Sequence, residues 1–482
     1  MLPRQDLYGY KNMGAETALL EMVRTGMPLS WRQRLSLIVR LSVPSMLAQL
    51  SYIVMVYIDA SMVGSLGAEA SAAIGLMSTS TWLFGGILSA ASVGFSVQVA
   101  HLIGAGEFRR ARDVLRQALA ATSVFGLGAM CVACAVSPFL PGWLGGDESI
   151  TGMASEYFLI FALSLPFMQL NRLSGSMLQS SGNMKVPSLL NVFMCILDVI
   201  FNTIFIFPTR EISVLGLRFT MYGAGMEVAG AALGTALAIA VTSCIMSSYL
   251  CFRSRELSLT QEKSRLRMQG STLKKAFQIG APIGLEHTIM CGAQIASTVI
   301  VAPLGNIAIA ANAFAVTAES LCYMPGQGIG DAATTLVGQS VGACRKDLTR
   351  RFANMSVVLG MAVMTVMGAV MYLAAPLMMG IMTPVAEIKE LGVSVLRIEA
   401  FAEPMYAASI VAYCAFIGTG DTLIPSCMNF FSIWVVRLSL AAILAPVLGL
   451  KGVWIAMCIE LCFRGAIFLY RLVRGRWLDR IG

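Results

Sequence analysis

Charge is scarce in this chain: Asp, Glu, Lys and Arg together make up 12% of its 482 residues, against 57% hydrophobic residues, and the mean hydropathy is +0.75. So little polar surface cannot cover a water-soluble core of this size, and lipid must be the solvent for most of it. The apolar runs lack the period-two alternation of a membrane barrel, and every backbone polar group at that depth needs an internal partner. An all-helical fold is therefore expected. Histidine occurs only twice, with no His-Glu-x-x-His and no cluster at metal-ligand spacing, so neither a metal nor a resident cofactor is expected. The absence of a Gly-x-x-x-x-Gly-Lys-Ser/Thr loop argues against nucleotide-driven work. One Gly-x-Ser-x-Gly string, Gly338 to Gly342 around Ser340, ends a predicted membrane helix with no strand before it and reads as a chance match.

What the chain does hold is a series of apolar stretches long enough for part or all of a membrane crossing, such as Leu119 to Leu140, Tyr157 to Gln169, Val228 to Phe252 and Val357 to Met379. Divided at glycine, proline and charge, they give about twelve helices. The net charge of +8 sits in short loops and not on a soluble domain, so nucleic acid is not an expected partner. Arg109, Arg110, Arg112 and Arg116 follow the second predicted span. Arg253, Arg255, Lys263, Arg265, Arg267, Lys274 and Lys275 follow the sixth, and Arg345, Lys346, Arg350 and Arg351 the eighth. The positive-inside bias then predicts cytoplasmic termini for a multi-pass protein of the plasma membrane, or of the inner membrane in a Gram-negative cell. The first residues, with Arg4, Asp6, Lys11, Glu16, Glu21 and Arg24, read as a tail and not as a secretory signal. The cysteine pairs Cys131 with Cys134 and Cys458 with Cys462 read as small packing residues in helices.

The chain also repeats itself. Moving back 238 positions carries Pro282 onto Pro44, Leu304 and Gly305 onto Leu66 and Gly67, and Gly342 and Ala343 onto Gly104 and Ala105. It also carries Gly420, Pro425, Ser426 and Asn429 onto Gly182, Pro187, Ser188 and Asn191. A register held through so many loops implies two related six-helix bundles. An even number of spans in each makes the repeat parallel. The expected organisation is an N-terminal tail over 1–34, a first lobe of helices one to six over 35–252 and a basic linker over 253–275. A second lobe of helices seven to twelve follows over 276–473, then a tail over 474–482. Two such pseudo-symmetric bundles form a V that can alternate access to a site between them.

The strings YIDASMVGSLGAEASAA and VAPLGNIAIAANAF, the loops HLIGAGEFRRA and LVGQSVGACRKD, and the paired SGNMKVPS and GTGDTLIPS resemble the multidrug and toxic compound extrusion (MATE) family over about Leu37 to Arg474. The resemblance implies a cation-coupled antiporter that expels small organic, often cationic amphipathic compounds against a proton or sodium gradient. It also directs attention to particular residues. Where one branch of the family carries second-lobe carboxylates, this chain has Met290 and Tyr406, with Glu286 and Glu403 nearby. Where another pairs an aspartate of helix one with an asparagine and an aspartate of helix five, this chain has Asp59 and Asp198, with Met194 one turn before Asp198 and Asn202 one turn after.

A carboxylate at membrane depth is costly unless protonated, paired or bound to a cation. Asp59 and Asp198 are therefore functional candidates, and the resemblance, which implies carboxylates in these two helices, makes them with Asn202 the cation-coupling candidates, for H+ or Na+. The bland alternative makes Asp59 an exposed helix end and Asp198 a packing contact. Glu286, His287, Met290, Gln294, Tyr323 and Tyr406 are the candidates for a substrate cleft, and flexible methionines, 31 in all, suit varied guests. Arg397, Glu399, Glu403 and Arg437 are expected to form an internal charge cluster in the second lobe, either a lock or part of transport. Glu460 and Arg464, four apart, are expected to pair. Pro325 with Gly326, Gly328 and Gly330 is expected to break or bend helix eight. The expected partners are small organic molecules and membrane lipids, with a monomer favoured. A flippase for a lipid-linked sugar is the nearer alternative function, and an intramembrane enzyme the remote one.

Overall fold

The computed structural model describes residues 15–214, 217–261 and 267–480. Arg4, Asp6 and Lys11 of the tail and Lys263 and Arg265 of the linker lie outside the described residues. Helices dominate. The first lobe contains α1 (Trp31–Gly64), α2 (Ala68–Gly104), α3 (Phe108–Val136), α4 (Glu148–Ser180), α5 (Lys185–Ile206) and α6 (Glu227–Ser248, continued by a π-turn to Arg253). The second contains α7 (Gly270–Val301), α8 (Asn306–Gly342) and α9 (Lys346–Met382), so Lys274 and Lys275 stand in the first turns of α7. It ends with α10, in two segments (Ala386–Glu399 and Glu403–Thr419), α11 (Leu423–Phe431, a π-turn Ser432–Arg437, then Leu438–Leu448) and α12 (Leu450–Arg474). Among the described residues, eleven spans are long and apolar enough to cross a membrane, twelve when the two segments of α10, bent by 59°, count as one.

Local chemistry explains where helices start and turn. Ser30 and Gln33 form a reciprocal capping box at the start of α1, satisfying two donors that the first turn would otherwise leave open. The turns before α2 and α8 both need a glycine at positive φ, Gly67 at 128° and Gly305 at 98°, and the turns after α4 and α10 do the same with Gly182 at 93° and Gly420 at 83°. Each pair is 238 positions apart, so the repeat seen in sequence is a repeat of backbone conformation. Between α5 and α6 the first lobe carries an insertion, an antiparallel hairpin of β1 (Pro208–Val214) and β2 (Leu217–Ala224).

Of the break or bend expected at Pro325, the break does not occur: α8 runs unbroken from Asn306 to Gly342. Its glycines serve close packing instead. A Cβ at Gly328 would lie 2.6 Å from the Met46 backbone nitrogen of α1, and one at Gly330 would lie 2.7 Å from the Cys414 sulfur of α10. The break lies in α10, where Pro404 opens the second segment, a position at which its missing N–H costs nothing.

The lobes meet mainly through α1 with α8 and α2 with α7. Small residues set this seam, as expected where lipid gives no hydrophobic drive and close backbone approach supplies the attraction. Gly104 of α2 sits against the Gln339 carbonyl of α8, and Gly342 of α8 against the His101 carbonyl of α2. The same 238-residue shift carries Gly104 onto Gly342 and His101 onto Gln339, so this joint is itself pseudo-symmetric. Polar groups fasten it. His101 Nε2 donates to the Gly418 carbonyl (2.8 Å), Gln339 Nε2 to the Ser180 carbonyl (2.8 Å) and Gln98 Nε2 to the Thr272 carbonyl (3.2 Å). Ser45 Oγ and Gln49 Nε2 of α1 donate to Asp331 of α8 at 2.8 and 3.2 Å.

An amphipathic helix, Ala15–Arg24, lies across this joint on the face that bears the basic loops. Its Leu20 and Val23 are buried. Arg24 donates to Ser181 of the first lobe (3.2 Å) and to Gln339 of the second (3.4 Å), and pairs with Glu256 at 3.3 Å. Arg345 of the second lobe reaches back to the Met27 carbonyl at 3.0 Å.

Candidate functional site

In the first lobe, the exposure of one face of α5 to lipid and the burial of the other turn Asp198 and Asn202, one turn apart, toward α1 and α6. Both are fully buried. Asp59, five residues from the end of α1, is half-buried and meets them. Asn202 Nδ2 joins the two acids, donating to Asp59 Oδ1 at 2.8 Å and to Asp198 Oδ2 at 3.1 Å. The second oxygen of Asp198 and the amide oxygen of Asn202 are buried without a hydrogen-bond partner among the described residues. A group of oxygens this poor in donors suits one proton shared between carboxyls, or a small cation held by oxygen. Met194 takes no part; it packs in an apolar cluster with Met55, Ala238 and Ile239.

Three contributors to this site were not singled out in the sequence. Gly234 of α6 lies against the Asn202 amide oxygen, where a side chain would not fit. Thr235 stands beside Asp198. Tyr157 of α4 is close to both acids. None carries a charge, and a glycine or threonine in an alanine-rich helix gives no signal by itself.

The cleft candidates divide. Glu286 turns into its own lobe and does not face Asp59. It accepts hydrogen bonds from Ser426 Oγ (2.6 Å) and Asn429 Nδ2 (2.6 Å) of α11, and from the Tyr413 hydroxyl of α10. A carboxylate with three donors is well held where it stands. His287 stays at the seam, edge-on to Trp82 of α2 with ring centroids 5.6 Å apart, and fits because residue 86 is glycine. Gln294 is exposed and Met290 is half-buried. Tyr323 and Tyr406 meet each other, with ring centroids 5.6 Å apart, and the Arg464 guanidinium lies 5.4 Å from the Tyr406 ring. They belong to the inside of the second lobe.

The second-lobe charge cluster forms with different members from those expected. Glu399 and Glu403 flank the break in α10, both fully buried, and Glu319 of α8 joins them. Arg437 faces Glu319 and Glu399. Arg397 does not join. Two positions from Glu399, it lies roughly 200° around the helix, so burying Glu399 turns Arg397 outward. Its guanidinium stacks 5.1 Å from the Tyr372 ring, and its Nε donates to the Tyr372 carbonyl at 3.3 Å. Among the described residues, none donates a hydrogen bond to any of the four carboxylate oxygens of Glu399 and Glu403. Glu460 and Arg464 pair as expected at 3.0 Å, and Ser432 Oγ donates to the same Glu460 oxygen at 2.5 Å.

Two parallel six-helix lobes, joined along a seam of small residues and each enclosing buried carboxyl groups, have the architecture of a membrane transporter. Comparison with known proteins gives the family. The MatE family profile matches residues 44–204 and again 282–443, one copy per lobe, and the chain belongs to the MATE family of transporters. It is 26% identical over 453 residues, 92% of this chain and 93% of the other, to a probable multidrug resistance protein NorM of Thermotoga maritima. It is 25% identical over 477 residues, 94% of this chain and 100% of the other, to a probable NorM of Neisseria meningitidis serogroup B. The fold also matches a solved structure described as the outward-facing conformation of a multidrug resistance MATE family transporter of the MOP superfamily. There the TM-score is 0.86, with 22% identity and coverage of 96% of this chain and 98% of that one.

Proposed function

We propose that this protein is a cation-coupled antiporter that exports small organic, often cationic amphipathic compounds by alternating access between its lobes. One observation carries the reading: Asn202 draws Asp59 of α1 and Asp198 of α5 into a single buried group, by bonds of 2.8 and 3.1 Å, with oxygens left over for a proton or sodium ion. Because α1 also forms the seam with α8, a change in that group bears directly on how the lobes meet. The multidrug resistance relatives support the substrate class. The basic loops support a cytoplasmic orientation, in a plasma or inner membrane, for the face that carries them; on that reading the seam closes the inward side. Glu399 and Glu403, with their unpartnered oxygens, form a second store for the coupling ion.

Inside-out vesicles test this. Dye transport is expected under an imposed pH or sodium gradient, and the gradient that works identifies the ion. Asp59→Asn and Asp198→Asn should each abolish it while leaving folded protein in the membrane. Wild-type transport by both variants would sink the coupling role, and lipid translocation that ignores the gradient would favour a flippase instead. Glu399→Gln with Glu403→Gln should lower the number of ions moved per substrate, and an unchanged ratio would confine coupling to the first lobe.

A further inference from the structure

Arg397 is an arginine within a membrane span whose side chain lies outside its own lobe's charge cluster. It lies eleven residues into α10, about 16 Å along the helix from its start at 1.5 Å per residue. Beside it is a groove of about 310 Å³ between three helices, walled by Tyr372 of α9, Ile398 and Phe401 of α10, and Ile455 and Ile459 of α12. Phe401, Ile459 and Tyr372 are exposed on the outer face of the lobe, the face that meets the bilayer. Among the described residues Arg397 has no carboxylate partner; only its Nε is engaged, by the Tyr372 carbonyl. The ring beneath it orients the guanidinium, and its terminal N–H groups remain to be satisfied where water is scarce.

We propose that this groove binds one anionic phospholipid, with the phosphodiester on Arg397 and an acyl chain along Ile455 and Ile459. The planar fork of a guanidinium matches two phosphate oxygens at once. The apolar walls suit a hydrocarbon chain and offer a free inorganic anion nothing. A long cationic side chain at this depth snorkels toward the headgroups, and on α10 the Cα–Cβ direction leads it back toward the helix start, that is, toward the near interface. The groove lies against the break in α10, with Phe401 in the break and Glu399 buried on the opposite side of the same turn. A lipid seated there packs against the bend that separates Glu399 from Glu403.

The whole protein, purified in detergent and stripped of lipid, is mixed with phosphatidylglycerol or with diacylglycerol, and bound lipid is counted by native mass spectrometry. Wild type should retain one phosphatidylglycerol and no diacylglycerol. Arg397→Gln should weaken that retention by roughly 10- to 100-fold, the loss expected of a charge-assisted bidentate contact. Ile459→Trp, which fills the groove and keeps the arginine, should weaken it comparably. Equal retention in Arg397→Gln and wild type, equal retention of diacylglycerol, or displacement of the lipid by millimolar inorganic phosphate would each overturn the assignment. Because none of these readings involves transport, they are independent of the antiporter proposal.

Discussion

Replacing Gly234 by alanine probes the first-lobe site without touching its acids. A Cβ built on Gly234 would run into the Asn202 amide oxygen and lie 3.0 Å from the Asn202 backbone nitrogen. The backbone of α5 is fixed by its own helix, so the amide group has to turn. Turning it disturbs the bonds of 2.8 and 3.1 Å that hold Asp59 and Asp198 together. A hydrogen bond to a charged group contributes about 1.5–3 kcal/mol. Loss of one should therefore reduce gradient-driven efflux by roughly 10- to 150-fold, if the site's occupancy limits transport. Helix propensity works the other way, since alanine in a helix interior is favoured over glycine by about 1 kcal/mol, so general unfolding would not account for a loss. The assay is dye efflux from proteoliposomes at matched amounts of protein. Gly175→Ala is the control, because its Cβ would meet only the Met246 sulfur at an ordinary 3.5 Å. Combining Gly234→Ala with Asn202→Ala should be no worse than Asn202→Ala alone, as required of two changes acting through one group. Wild-type efflux by Gly234→Ala, or full additivity with Asn202→Ala, would refute the reasoning.

Two further outcomes concern stability and motion. Arg464→Ala leaves Glu460 buried without its partner at 3.0 Å, which should cost about 3–5 kcal/mol and lower the thermal midpoint in detergent; replacing both residues by apolar ones should restore most of it, and an unchanged midpoint in the single variant would contradict the pairing. Gly342→Ala forces a methyl group against the His101 carbonyl across the seam. Spin labels at the exposed positions Arg110 and Arg351 should then report longer distances between the lobes, and an unaltered distribution would show that the seam does not depend on that close approach.

Much of this architecture was readable before any coordinates because the chain says it twice. Gly67 with Gly305 and Gly182 with Gly420 mark the same turns in both halves, and no other residue takes their backbone conformations without strain. The first-lobe group was readable for a different reason. The family resemblance implied an acid in helix one facing helix five, and Asp198 and Asn202, four apart, had to share a helix face. Arg397 misled because its charge suggested a partner, whereas its spacing of two from Glu399 placed the pair on opposite sides. The break in α10 was signalled by Pro404, overlooked in favour of Pro325, whose ring the helix tolerates with help from closely packed neighbours. The role of Gly234 was not legible at all, since what matters there is the absence of a side chain opposite a residue on another helix. The same is true of His101, whose partner, the Gly418 carbonyl, lies on a helix of the other lobe.

The helix Ala15–Arg24 belongs to neither bundle, yet it is nailed to both. Prising the lobes apart on that face means re-exposing Leu20 or Val23 to water, or breaking the bonds of Arg24 to Ser181 and Gln339. One tie between the lobes is therefore written in a short stretch of chain ahead of the first span, apart from the carboxyl groups that the two bundles enclose.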